Sequence, residues 1–104
     1  MIVTVFRSRL NPDATEEYGE MASRMSELAR SIPGYVSHKT FVAEDGERAT
    51  IVEFESEDAL RRWRIDPEHI KAKKRGIESF FRDYSFQICS VILHRGWTYK
   101  ARKA

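Results

Sequence analysis

The spacing of hydrophobic positions changes repeatedly along the chain, and each change marks an element. From Ile2 to Leu10 it alternates. Ile2, Thr4, Phe6, Ser8 and Leu10 fall on one face, and Val3, Val5, Arg7 and Arg9 on the other, which is the two-residue period of a strand. Asn11-Pro12-Asp13 turns the chain, and Asp13 with Glu16 three residues on is a capping-box signature that opens a helix. Tyr18, Met21, Ala22, Met25, Leu28, Ala29 and Ile32 then recur at spacings of three and four, an apolar stripe on an otherwise charged helix. Gly19 within it costs about 1 kcal/mol relative to alanine, a cost that a close backbone approach would explain. Pro33-Gly34 ends the helix, because proline cannot continue it and glycine accepts positive φ.

Tyr35 to Glu44 and Arg48 to Glu55 read as the second and third strands. Asp45-Gly46 between them is a two-residue hairpin signal in which both positions take φ > 0. Ser56 caps the next helix, with Glu57 and Asp58 at its positive end. Ala59, Leu60 and Trp63 form the apolar side of that helix, and Arg61, Arg62 and Arg64 its wet side. Asp66-Pro67 breaks the helix and restarts it, aspartate as cap and proline as first residue, and Gly76 is the expected stop. Ile77, Phe80, Phe81 and Tyr84 are spaced for one more short turn packed on the sheet. The last strand is predicted over Tyr84 to Arg95, about twice the mean strand length. Ile88, Cys89, Val91, Ile92 and Leu93 leave it no clean polar face, so both faces are expected to be covered.

The order strand, helix, strand, strand, helix pair, strand predicts a ferredoxin-like α+β sandwich with a four-stranded antiparallel sheet. Its helices cover one sheet face. A second copy is the economical cover for the other, so a homodimer through the last strand is expected, with Ile88, Val91, Ile92 and Leu93 in contact. One domain is assigned to residues 1–97 and a basic tail to 98–104.

Composition removes several classes. The chain is 41% hydrophobic and 33% charged, as expected for a soluble globular domain. No apolar run approaches the roughly 20 residues that span a bilayer, and the N-terminus lacks the pattern of a signal peptide. With Cys89 alone there is no internal disulfide, so a cytoplasmic protein without a membrane partner is expected. The net charge of +2 hides an asymmetry: residues 1–58 carry six Lys/Arg against twelve Asp/Glu, and residues 59–104 twelve against four. The basic half either attracts an anion or is neutralised by the acidic half on folding or pairing. It contains no nucleic-acid-binding motif, so no nucleic acid is expected as partner.

Candidate chemistry is sparse. The three histidines lie far apart without HxH, HxxxH or CxxC spacing, so no metal site is predicted. No serine sits in a nucleophile-elbow context. Cys89 reads as a small buried hydrophobe, His38 as a structural residue on a strand, and Arg61 to Arg75 as a solvated helix face. Trp63 and His69, six residues apart across the helix break, either line a pocket or plug a core. His69 is either a pocket acid/base or a helix-start histidine that faces water in its neutral form.

Three stretches carry a family likeness: RSRLNPDATEEY, then IPGYVSHKTFVAEDGERATIVEFES, then WRIDPEHIKAKKRGIESFFRDYSFQIC. Together they resemble the antibiotic biosynthesis monooxygenase (ABM) domain family. The resemblance implies a dimer whose two ferredoxin-like sheets join in a barrel (a dimeric α+β barrel), with one pocket per subunit between helices and sheet. It also implies cofactor-free oxygenation of a small phenolic or quinol substrate by O₂, with no cofactor. The implied catalytic groups are His69, Trp63 and Ser8, and the implied walls are Phe6, Phe41 and Phe81 together with Trp63. Such chemistry uses a substrate that itself gives an electron to O₂ once ionised, in a dry pocket with a base or donor for the oxyanion.

The alternative within the resemblance is a haem-binding or haem-degrading protein, and the competing class is a non-catalytic ligand-binding dimer. The haem-degrading branch carries an asparagine on strand one, a tryptophan on the second helix and a histidine ligand further on. Trp63 matches the tryptophan, and Ser8 stands where the asparagine would be. The ligand position falls near Lys73 or Lys74, with His69 a turn too early, and a protonated lysine has no lone pair for iron.

Overall fold

The computed structural model describes residues 1–100, the side chain of Thr15 apart. Its elements are β1 (Ile2–Leu10), α1 (Thr15–Ser31), β2 (Tyr35–Val42), β3 (Arg48–Phe54), α2 (Glu57–Arg64), α3 (Pro67–Arg75) and β4 (Phe81–Ser90). The strands form one antiparallel sheet in the order β2-β3-β1-β4, the predicted ferredoxin-like α+β fold. β1 is central because its alternation serves two neighbours at once. Thr4 pairs with Val52 and Ile88, and Phe6 with Thr50 and Phe86. Ile2, Thr4 and Ser8 of the predicted inner face are buried, while Val3 and Val5 of the outer face are half-exposed.

The core lies at one end of the inner face. Ile2, Val52 and Phe54 of the sheet meet Ala59 and Leu60 of α2, with Ile32, Tyr35 and Trp63 packed against them. Gly34 makes this approach possible. It has φ +93°, and a Cβ there would lie 2.6 Å from the Ala59 Cβ. The outer face carries Val3, Val5, Ile51 and Cys89, and Cys89 is exposed rather than buried as its residue type suggests. Strand alternation explains this, since its neighbour Ile88 takes the inward position opposite Thr4.

Several local expectations are corrected. A 3₁₀ turn over Pro12–Ala14 leads into α1, so Ala14 rather than Asp13 stands at the cap, without a side-chain bond. The turn is fixed from outside: the Asn11 N–H donates to the Phe80 carbonyl at 2.8 Å and its side-chain amide to the Ser79 carbonyl at 3.2 Å. Nothing approaches within 4 Å of a Cβ placed on Gly19, so no close contact accounts for that glycine. The β2–β3 hairpin closes over three residues, with the Ala43 N–H donating to Glu47 and the Gly46 N–H to Ala43, and only Gly46 takes positive φ.

The last strand is shifted as a whole. β4 begins at Phe81 and ends at Ser90, because its partner β1 ends there: Ser90 pairs with Ile2, and the Val91 N–H makes one last bond to the Met1 carbonyl. Val91, Ile92 and Leu93 therefore lie beyond the ladder, with Ile92 97% exposed. Gly76 does not cap α3 in the left-handed region. It stays helical at φ −60° and opens a π turn over Gly76–Phe80, in which a Cβ would lie 2.4 Å from the Phe81 ring. Of the basic tail, residues 101–104 lie outside the described residues.

The two glycines next to and inside α1 make a paired test. Gly19→Ala should stabilise by about 0.5–1 kcal/mol, since the helix gains propensity and nothing is displaced. Gly34→Ala should destabilise by more than about 1 kcal/mol through positive φ and collision with Ala59. Urea midpoints of the two variants should move in opposite directions.

Candidate functional site

Between the inner sheet face and the three helices lies a cavity of about 250 Å³. Its floor is made by inward residues of all four strands, and its roof by Tyr18, Met21 and Met25 of α1, Trp63 of α2 and His69 and Lys73 of α3. Each helix presents these groups for a local reason. Ser56 Oγ accepts the Ala59 N–H at 3.2 Å and starts α2, whose short length leaves Trp63 in its last turn. Asp66 then caps α3, its Oδ1 accepting the N–H groups of Glu68 at 2.9 Å and His69 at 3.4 Å, with Pro67 at the first position.

The break brings the two rings of the predicted pair together. His69 lies against Trp63 at 4.1 Å between centroids and 30° between planes, and Trp63 packs in turn on Phe54 at 5.6 Å. Burial pushes the His69 imidazole from its ordinary value of 6.5 down to about 4, and Lys73 adds to the effect. His69 is thus neutral at pH 7. Its Nδ1 and the Trp63 Nε1 are buried with no hydrogen-bond partner among the described residues, and so is Arg48 Nε. All three residues line the cavity. Native structures rarely strand buried polar atoms, so three beside one cavity mark groups that wait for a ligand or water.

A second aromatic group forms the β4 side. Phe6 meets Phe81 at 5.3 Å and Tyr84 at 5.9 Å, and Tyr18 stands edge-on to Phe80 and Phe81. Phe81 and Tyr84 are three residues apart, an odd separation that would place them on opposite faces of a regular strand. A register shift opposite Arg9 and Leu10 absorbs the extra residue and turns both inward. His38 also lines the cavity, but its ring nitrogens are committed, Nδ1 to the Tyr35 hydroxyl at 2.7 Å and Nε2 to the Ser26 hydroxyl at 3.0 Å. It pins α1 to β2.

The cavity therefore unites Trp63, His69, Phe6 and Phe81. Phe41 is elsewhere: it is 51% exposed and its ring lies 5.6 Å from the Lys39 ammonium. It pairs with Ala49 while its neighbour Thr40 takes the inward position, which strand alternation requires. Ser8 is 2% exposed on the inner side of β1, but it does not line the cavity. Sequence reasoning missed Arg48. The signal was present, because Arg48 shares strand parity with Thr50 and Val52, both on the inner face. Among the described residues no group of three His, Cys, Asp or Glu could hold a metal ion, and no helix is long and apolar enough to cross a membrane.

The family model described as antibiotic biosynthesis monooxygenase, ABM, matches residues 1–75, from β1 through α3. The chain belongs to the ABM family. A curated relative, the uncharacterized protein YqjZ of Bacillus subtilis (strain 168), is 34% identical over 74 residues, covering 71% of this chain and 65% of the relative. The match thus spans just under two thirds of that relative's length. Among solved structures, Rv0793 from Mycobacterium tuberculosis superposes with a TM-score of 0.80 at 19% identity, covering 91% of this chain and 98% of that one. SnoaB of Streptomyces nogalater, described as a cofactor-independent oxygenase, superposes with a TM-score of 0.75 at 16% identity, covering 89% and 94%. At these identities the two structures show the shared ABM fold.

The depressed His69 pKa fixes a direction for stability against pH. Between about pH 6.5 and 4 the unfolded chain binds a proton on this residue that the folded chain refuses. Stability should be full above pH 6.5, fall as pH drops from about 6.5 to about 4 and level off below, losing on the order of 2–3 kcal/mol once solvent access is allowed for. His38, also depressed by burial, acts in the same direction. Urea unfolding across this range should show the slope, and His69→Phe should flatten most of it.

Proposed function

We propose that this ABM-family protein is a cofactor-independent monooxygenase that oxygenates a small aromatic phenol or quinol with O₂, and that it works as a homodimer. The observation that carries the reading is the pair of stranded nitrogens, Trp63 Nε1 and His69 Nδ1, in a cavity walled largely by aromatic and aliphatic side chains. The indole N–H is a donor only, which suits an oxyanion. The imidazole, neutral at pH 7, accepts the hydrogen bond of a hydroxyl that is being ionised, and Lys73 beside it favours the resulting negative charge. The ionised ring gives an electron to O₂, and the two radicals combine at a ring carbon. Loss of water from the peroxide leaves one oxygen atom on that carbon. Substrate and O₂ thus supply all the electrons, and the product is a quinone plus water. The aromatic walls keep bulk water from the intermediates.

Haem fits these residues poorly. Lysines stand at the α3 positions where the family resemblance puts an iron ligand, and the Lys73 ammonium is drawn over the Phe86 ring at 5.9 Å.

Oxygen uptake by metal-free protein, measured over a panel of quinols and anthrone-type phenols, should reveal turnover of at least one member. Trp63→Ala and His69→Ala should each lower it by at least about tenfold. Absence of turnover across the panel, or turnover unchanged in both variants, would overturn the assignment. A saturable Soret band on haem titration, in protein that consumes no oxygen, would move it to a haem-binding protein.

Support for the dimer comes from surface that the described residues leave uncovered. Val3, Val5, Ile51 and Cys89 lie on a sheet face without helices, and Ile92, Leu93 and Trp97 follow as an exposed apolar segment. At about 25 cal/mol per Å², leaving several such side chains wet forgoes several kcal/mol, a large share of a small domain's stability. Of the residues expected in the interface, Ile88 faces the cavity instead, so contact is assigned to Val91, Ile92, Leu93 and the outer face. Sedimentation at micromolar concentration should give a species near twice 12.2 kDa, and Ile92→Asp should give monomer or insoluble protein. A wild-type chain that stays monomeric at high concentration would sink the dimer.

A further inference from the structure

The charges around the cavity are all of one sign. Its lining contains three permanent cations, Arg48, Arg64 and Lys73, and no aspartate or glutamate. Asp66, the carboxylate nearest His69 in sequence, is committed to the α3 cap. Arg64 and Lys73 are exposed rim residues whose charge water can screen. Arg48 differs. It is half-buried, its guanidinium carbon sits 5.7 Å from the Tyr18 ring centre, and it makes no ion pair among the described residues. Its Nε is buried with no partner. An arginine whose Nε–H is unsatisfied still has the side-on edge of its fork, Nε–H beside Nη–H, to offer, and that edge matches the two oxygens of a carboxylate.

The position of Arg48 adds a length. It opens β3 opposite Ser8, whereas Phe54, which carries Trp63, closes the same strand. Six residues at about 3.3 Å each separate the two backbone positions by roughly 20 Å. Arg48 and the strand position beneath Trp63 thus lie at opposite ends of β3, which puts a cation toward one end of the cavity and the neutral Trp63–His69 pair toward the other. Between them lie Phe6, Phe81, Met21 and Met25.

We infer that the ligand is an elongated aromatic carboxylate: its acid is held side-on by Arg48, and its phenolic or keto oxygen reaches Trp63 and His69. The inference rests on the reading of this cavity as the oxygenase site, and it adds the anionic class of the substrate and a specificity-determining residue. Arg48 binds the end of the molecule remote from the oxygenated carbon. Its loss raises KM and leaves the chemical step.

Binding tests this without turnover. In the Trp97→Phe protein, whose substitution is at an exposed position away from the cavity, the remaining tryptophan Trp63 reports ligand by quenching. The probes are anthraquinone-2-carboxylate and the neutral anthraquinone-2-carboxamide, at 20 mM and 200 mM salt. The acid should bind at least about tenfold tighter than the amide. Arg48→Gln should reduce that ratio to within about twofold while amide affinity holds, and Arg48→Lys should keep part of it. Arg64→Gln and Lys73→Gln should change mainly the salt dependence. Equal binding of acid and amide, or a preference that survives Arg48→Gln in protein with unaltered circular dichroism, overturns the inference and leaves oxygen uptake to decide the reading beneath it. Binding of neither probe overturns both.

Discussion

The Asp66 carboxylate, half-buried at a helix break, holds together more of this molecule than its place in a loop suggests. By accepting two backbone N–H groups it starts a new helix with only Ile65 and Asp66 between it and the previous one. That restart turns His69 back onto Trp63, and the indole in turn presses on Phe54 at the floor of the core. A continuous helix would rotate residues 63 and 69 through about 600°, which puts them 120° apart and not ring to ring. The contact at the centre of the site is thus a product of a broken helix.

Stability and chemistry pull against each other around this contact. The core gains from close packing at Gly34, Ala59, Leu60 and Phe54, where nothing polar is left over. In the cavity that adjoins it, three buried nitrogens lack partners among the described residues, a cost of roughly 1–3 kcal/mol for each one that is truly dry. The helices over the cavity are tied by surface ion pairs. Arg24 of α1 holds Glu68 of α3 with two 2.7 Å bonds, and Arg75 of α3 reaches Glu17 of α1 at 2.7 Å. Exposed pairs of this kind are individually weak, so the position of the roof depends on packing at its two ends more than on the charges above it.

Much of this was legible in the sequence, because the readable signals were local. Alternation in β1, the apolar stripe of α1 and the Asp66-Pro67 restart each follow from a few adjacent residues, and they suffice for the element order and the Trp63–His69 pairing. What escaped was decided by distant partners. Asn11 is fixed by Ser79 and Phe80, which displaces the cap expected at Asp13. The last strand stops at Ser90, which pairs with Ile2 at the start of β1, although apolar residues continue to Leu93. Phe41, a wall implied by the resemblance, is turned to the other face by strand parity. Arg48, read only as the start of a strand, shares its face with Thr50 and Val52.

The bulge at the start of β4 shows how this scaffold alters a binding surface. Phe80, Phe81 and Tyr84 all reach the cavity, although they are separated by one and three residues, because a π turn and then an extra residue in the strand undo the alternation twice. The shape of this wall is therefore written in chain length as well as in side-chain identity. Removing a single residue between 81 and 84 would restore regular pairing with both rings still inward, and would take away the bend and extra twist that the bulge gives this wall. A relative can thus acquire a differently shaped chamber through one codon's deletion, with every ring still encoded.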